Sequence, residues 1–313
     1  MTVVVIGDAN VDLEIRLPID SQPTHANPDP SMSGGGSAAN TAAALARLDV
    51  PTRFVGAVGD DGAGRHAVES LARSGVDVGA VQTTSSEPTV MVIVVLPPNG
   101  DRLIYVWPPR GGAHAMLDVE LAASAIDDAA WVHVSGICLR VSPAREALLA
   151  AMDRARSRAI PVSLDLNLRL ENWGWEAGFR EVALDAAGRA DVVLGSAFDE
   201  IAPLGDESDP VAAARALGAG ERLIVARLGA DGAIAVAGQE VTRATGFAVD
   251  VVDTVGAGDA FNAGFIAARL EHRSLDDALT WGNAVAASTI AEHGARSGPT
   301  RAELASLLDD RPA

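Results

Sequence analysis

Asp253-Thr254-Val255-Gly256-Ala257-Gly258-Asp259-Ala260-Phe261-Asn262-Ala263-Gly264 is the stretch on which the reading of this chain turns. Small residues at 256–258 open a helix that continues through Phe261, Phe265 and Ala268. Without bulk there, a ligand can approach the backbone closely. The first helical turn has unpaired N–H groups and the positive end of the helix dipole, a setting that suits an anion. Asp259 falls in that same turn. A carboxylate and a bound phosphate repel each other, so a carboxylate kept there needs a task. The obvious one is to take a proton from an attacking hydroxyl. An isolated Gly-x-Gly-Asp is more often an ordinary helix start with a dipole-stabilised Asp, so the segment needs support from elsewhere.

Two further segments give it. Gly34-Gly35-Gly36-Ser37-Ala38-Ala39-Asn40 precedes a helix over 38–48; Gly34 and Gly35 allow close approach, and Asn40 can hydrogen-bond hydroxyls or fix the loop. Asp8, Asn10 and Asp12 alternate just past a buried strand over 3–6, where α/β proteins bind ligands. Around these points the chain alternates short apolar runs with longer helical segments. Strands are expected over 3–6, 54–58, 131–135, 162–166, 192–194, 223–227 and 233–236. Helices are expected over 38–48, 66–73, 143–158, 176–188, 261–270, 275–292 and 301–308. That alternation predicts one α/β domain over 1–313, a doubly wound, mainly parallel sheet with helices on both faces. Strands over 89–96 and 102–107 flank the turn-like 97–101 and form a hairpin signal. With the Pro-rich 19–33 they point to a small β-sheet lid inserted over about 12–33 and 88–112.

Composition narrows the chemistry. The 313 residues carry a net charge of −18, and all 24 basic residues are arginine. With no lysine, a Walker-A loop, a protein-kinase strand lysine and Schiff-base chemistry are all excluded in their usual form. The acidic balance opposes binding to nucleic acid or to an anionic membrane. One cysteine, Cys138, excludes an internal disulfide and a cysteine metal cluster. The N-terminus shows no basic region, long apolar stretch or cleavage site, which reads as cytoplasmic.

The two glycine segments, Gly-Gly-Gly-x-x-Ala-Asn and Asp-Thr-x-Gly-Ala-Gly-Asp-x-Phe-x-x-Gly, resemble the two signatures of the ribokinase-like (PfkB) carbohydrate kinases, in family order across essentially the whole chain. The resemblance implies transfer of the γ-phosphate of ATP to a sugar hydroxyl, with Mg²⁺. It implies Asp259 as catalytic base and the backbone of Gly256, Ala257 and Gly258 as anion hole. Asn10, Asp12, Gly34, Gly35 and Asn40 would lie at the sugar. Gly229 and Gly232 would form the nucleotide loop, and Asn283 the adenine side. Asp253 and Val255 fall where some members bind a monovalent cation such as K⁺. Glu200 survives from the family's Asn-x-x-Glu as a residue supporting Mg²⁺ through water, although Ala197 stands at the Asn position. Arg227 replaces a frequent Thr or Lys; it would face nucleotide phosphate or stand in solvent at a strand end.

Substrate marks are mixed. Asp165-Leu166-Asn167-Leu168-Arg169 with Trp173 is similar to a segment of fructokinases and 2-keto-3-deoxygluconate kinases, which makes Arg169 a substrate candidate. Gly112-Ala113-His114 looks more like ribokinases, and Tyr105-Val106-Trp107 lacks the lid arginine of the keto-acid kinases. A neutral fructose- or ribose-like sugar is the leading expectation. A sugar acid such as 2-keto-3-deoxygluconate follows, then a nucleoside, then a non-catalytic binder on the same fold. Arg110, His114 and Trp107 are open candidates for substrate contact; Trp107 also fits a lid-to-lid homodimer. Trp131 and Trp281 read as core.

Overall fold

Val3 and Val5 pack on one side of the first strand, Val4 and Ile6 on the other. A strand with apolar residues on both of its alternating faces can only lie in the middle of a covered sheet. The computed structural model describes residues 1–17, 29–96, 103–109, 111–218 and 222–309. Within them the strands are β1 (Thr2–Ile6), β2 (Asn10–Arg16), β3 (Asp29–Gly35), β4 (Thr52–Gly59), β5 (Asp77–Thr84), β6 (Met91–Leu96), β7 (Leu103–Trp107), β8 (Ala129–Ser135), β9 (Val162–Asp165), β10 (Val192–Ser196), β11 (Leu223–Arg227), β12 (Ala233–Ala237) and β13 (Glu240–Ala244).

Nine of these form the main sheet in the order β13-β12-β11-β10-β9-β8-β1-β4-β5. It is parallel from β5 to β11, and β12 and β13 add antiparallel at one edge. Helices Ala144–Ser157, Phe179–Arg189 and Pro210–Leu217 cover one face, and helices Ser37–Arg47, Ala257–Leu270 and Leu275–Ile290 the other. The chain runs outward from β1 through β4 and β5, then returns to β8 on the other side of β1. That reversal creates a crevice at the carboxyl end of β1. A second sheet, β3-β2-β6-β7, stands apart from the first.

The doubly wound fold and the small sheet match the sequence reading. The anticipated turn 97–101 and residues 18–28 of the inserted segment lie outside the described residues. β2 and β3 lie in the inserted segment, and β5 and β13 were not expected as strands. β5 and β13 are polar edge strands, and β3 ends in Gly34 and Gly35 of the glycine run, paired antiparallel to β2. The helix expected from residue 66 begins at Gly62, because Asp61 accepts a hydrogen bond from the Gly64 N–H at 2.7 Å and caps it. The helix expected from 176 begins only at Phe179, after Gly178 with φ +78°. Trp131 and Trp281 are buried as expected.

The last two long helices meet at Gly264. A Cβ there would lie 2.7 Å from the Trp281 carbonyl oxygen, a backbone atom that cannot swing aside. Overpacking costs about 1–3 kcal/mol, while replacing glycine in a helix returns roughly 1 kcal/mol. Gly264→Ala is therefore expected to lower the melting temperature in a thermal scan, despite its better helix propensity.

Candidate active site

Asp8 follows β1 in the crevice. Its buried carboxylate accepts hydrogen bonds from the backbone N–H groups of Ser37 (2.9 Å) and Ala38 (3.1 Å). The N-terminus of helix Ser37–Arg47 is thus capped from within the protein. Its flanking residue Gly36 has φ +99° and offers no side chain of its own. Helix Ala257–Leu270 is different. It begins after Gly256 with φ +81° and, among the described residues, has no side-chain cap; the Ala257 N–H meets only the Thr254 carbonyl, at 3.4 Å, so this helix start can still turn N–H groups to a ligand.

The two helix starts face each other. Ser37 Oγ donates to Asp259 Oδ1 at 2.6 Å, and Asn40 Nδ2 donates to Asp259 Oδ2 at 3.1 Å. Thr41 Oγ1 donates to the Asp259 carbonyl at 3.3 Å. Burial pushes the Asp259 carboxyl up to about 7; the Ser37 hydrogen bond opposes this, Asp165 adds to it, Asn40 opposes it and Asp8 adds to it. A carboxylate in that range can accept a proton near neutrality and release it again.

Each glycine of the first run has its own steric reason. A Cβ on Gly34 would overlap the Arg296 guanidinium and lie 2.7 Å from Ser70 Oγ. On Gly35 it would overlap Asn10 Oδ1 and lie within 2.6 Å of both carboxylate oxygens of Asp12. On Gly36 it would stand 2.6 Å from the Asp8 carbonyl, besides the positive φ. Asn10 and Asp12 thus stand together against Gly35, next to Asn40. Among the described residues, Asn10 Oδ1 is buried without a hydrogen-bond partner, an acceptor left for a ligand hydroxyl. Asp12 is pushed up to about 6 by burial, held back by Arg296 and raised further by Asp8 and Asp253.

The chain as a whole has known relatives. The model of the pfkB family of carbohydrate kinases matches residues 1–302. The chain belongs to that family. It is 34% identical to an ATP-dependent ribose-1-phosphate kinase of Halopiger xanaduensis, over 98% of each chain. It is 31% identical to a fructokinase of Vibrio alginolyticus, over 96% of each. A fructokinase double mutant of Vibrio cholerae, solved with fructose, ADP and potassium ion, superposes with a TM-score of 0.81 at 29% identity and 98% coverage of both chains. The protein is a sugar kinase, a phosphotransferase with a sugar as acceptor.

The other expected residues of this kinase are placed variously. Arg227 does not stand in solvent. Its Nη2 donates to Asp165 Oδ1 at 2.8 Å and lies 3.6 Å from Glu200 Oε2, and its Nη1 donates to Asn262 Oδ1 at 2.7 Å. The guanidinium sits beneath Gly258, 3.5 Å from its carbonyl oxygen. Glu200, on a single π-helical turn (Ala197–Ile201), accepts the Leu168 and Ser196 N–H groups, both at 2.7 Å. No cluster of three metal-ligating side chains occurs among the described residues. Gly229 has φ +62° and open space around it, whereas a Cβ on Gly232 would overlap the Ala244 carbonyl. Asn283 Nδ2 donates to the carbonyls of Ala244 (3.1 Å) and Thr245 (3.2 Å), tying its helix to the end of β13. Asp253 Oδ1 accepts the Val255 N–H (3.1 Å) and Oδ2 the Gly294 N–H (3.2 Å).

Arg169 is exposed at the surface. It has φ +49°, its side chain is 47% exposed, and Glu171 lies 4.0 Å off. Asp165 and Asn167 of the same segment turn inward. Burial lowers the pKa of His114, and Asp8 opposes that. Trp107 is exposed on β7, and Arg110 lies outside the described residues.

Sequence reasoning missed Arg296; it named Arg227 and Asp165 separately but did not anticipate that they pair. None of the three lies in a glycine motif. The one available signal was Arg296 directly after Gly294-Ala295, since Ala295 packs against Gly256.

The Asp259 carboxyl is raised from 3.8 to about 7. The folded kinase therefore binds this proton more tightly than the unfolded chain does. Stability from this group is complete below pH 4 and is lost as pH rises towards 7. Asp259→Asn should melt higher than wild type at pH 8.5, with the gap shrinking at pH 5.5, as read by scanning calorimetry of the ligand-free protein.

Proposed function

We propose that the chain transfers the γ-phosphate of ATP to a primary hydroxyl of a neutral, furanose-forming sugar, with Asp259 as general base. The observation that carries this reading is Asp259 held between Ser37 and Asn40 at the uncapped N-terminus of helix Ala257–Leu270. The substrate hydroxyl gives its proton to Asp259 as its oxygen attacks. The amides of residues 256–258 meet the charge that develops on the transferred group. Asn10, Asp12, Gly35 and Asn40 hold the remaining hydroxyls.

Gly229, Gly232 and the Asn283-pinned end of β13 supply the nucleotide wall. The described residues form no carboxylate cage, and both Glu200 oxygens are engaged by backbone N–H groups. That donor set fits Mg²⁺ carried by phosphates and water, with Glu200 as an outer support. Bound there, Mg²⁺ would neutralise charge on the phosphates. The loop holding Asp253 and Val255, joined to Gly294, is the candidate K⁺ site, in line with the potassium in the related fructokinase.

Charge favours an uncharged acceptor. Asp8, Asp12 and Asp259 face the sugar pocket, and Arg296 is the cation among them. Closure of the small sheet would exclude water. All five residues of β7, Leu103 to Trp107, are exposed. An apolar edge strand of this kind is suited to pairing with a second copy.

Asp259→Asn should lower kcat by about 10²–10⁴-fold, the usual share of a general base, with KM values little changed. Substantial residual turnover would remove the base assignment. In a coupled ADP assay, ribose or fructose should outperform ribose 1-phosphate, 2-keto-3-deoxygluconate and adenosine. Preference for an anionic acceptor would overturn the charge argument. Light scattering should report a dimer that Ile104→Asp converts to monomer without loss of fold.

A further inference from the structure

Arg296 reaches three elements at once. Its Nε donates to Asn40 Oδ1 at 3.0 Å, on helix Ser37–Arg47. Its Nη1 donates to Ser70 Oγ at 2.9 Å, on helix Gly62–Arg73, and its Nη2 to the Gly35 carbonyl at 3.1 Å, on β3. Guanidinium is a planar, donor-only fork. Three acceptors in different directions leave it no rotational freedom. Gly34 is part of the same device, since a Cβ there would occupy the place of Nη1.

The consequence falls on Asn40. A side-chain amide has two faces of similar shape, an acceptor and a donor. Arg296 can only donate, so it selects the amide oxygen. The amide N–H₂ is then turned to Asp259 Oδ2 at 3.1 Å. The opposite orientation would set the amide oxygen against the carboxylate and leave an Arg296 donor facing an N–H. We propose that Arg296 is a positioning residue for phosphoryl transfer, fixing the Asn40 amide and through it the Asp259 carboxylate. The inference rests on Asp259 being the base, and it goes further in assigning a role to a residue outside both glycine motifs.

The charges around this chain are Asp8, Asp12 and Asp259 facing Arg296, with Asp253 near Asp12, His114 near Asp8, and Asp165 and Arg227 on the far side of Asp259. Removing the guanidinium takes a positive charge from in front of Asp259 and Asp12. The carboxylates then hold their protons to higher pH, and the acid limb of the kcat profile moves up.

The test is a double-mutant cycle with steady-state kinetics. Arg296→Met should lower kcat by about 10²-fold, the scale of a small misplacement of a reacting group. The KM for ATP should stay within about threefold, since the fork touches the sugar side alone. In an Asn40→Ala background the same substitution should cost less than about threefold more, because its route to Asp259 is already cut. Arg296→Lys keeps the charge and loses the fork; kcat should fall with the acid limb unmoved. Gly34→Ala should lower kcat as Arg296→Met does, and serves as the second route if Arg296→Met fails to fold by circular dichroism. Full activity in Arg296→Lys, or an equal loss in both Asn40 backgrounds, overturns the inference. Asp259→Asn runs alongside. If it is inactive while Arg296→Met is active, only the positioning role fails. If Asp259→Asn is active, the base reading itself fails.

Discussion

The site depends on one carboxylate held by two hydrogen bonds. Asp259 accepts from Ser37, 222 residues away in sequence, and from Asn40, 219 residues away. These contacts join the helix that follows the first glycine run to the helix that follows the second. The carboxylate is partly withdrawn from water, which strengthens its pull on donors and raises the energy of its charged form. It is therefore both a clamp between the two ends of the chain and a group ready to take up a proton.

The two glycine-headed helices serve this arrangement in opposite ways. Helix Ser37–Arg47 has its first N–H groups filled by Asp8, so its dipole is spent on the protein's own carboxylate. Helix Ala257–Leu270 keeps its N-terminus open. An anion entering the crevice meets one available helix start rather than two. In the proposed reaction, this would put the transferred phosphate and the sugar hydroxyl on separate sides of Asp259.

Charge in the pocket is balanced by arginine alone. Arg296 lies on the sugar side and Arg227 beneath the glycine turn, each fixed to several acceptors. A guanidinium is suited to that work because its donors diverge in a plane. An ammonium in either place would leave acceptors unserved. The absence of lysine thus matches a site whose cations act as fixed struts, with proton transfer, in the proposed mechanism, left to a carboxylate.

Much of this was legible in the sequence. The alternation of strand and helix gave the doubly wound sheet, because buried parallel strands must be apolar on both faces. Asp259 and the glycine runs were legible because helix starts and close backbone approach demand particular residue types at fixed spacing. Edge strands β5 and β13 were not, since half-exposed strands carry polar residues like those of loops. Tertiary structure alone decided that Asp8 caps a helix, that Arg169 points outward and that Arg227 points inward. A side chain's direction depends on the backbone turn that carries it and on neighbours far away in sequence. Arg296 is the clearest case: its position after Gly294-Ala295 is its one local mark, and its three partners come together only when the last segment of the chain packs against the first.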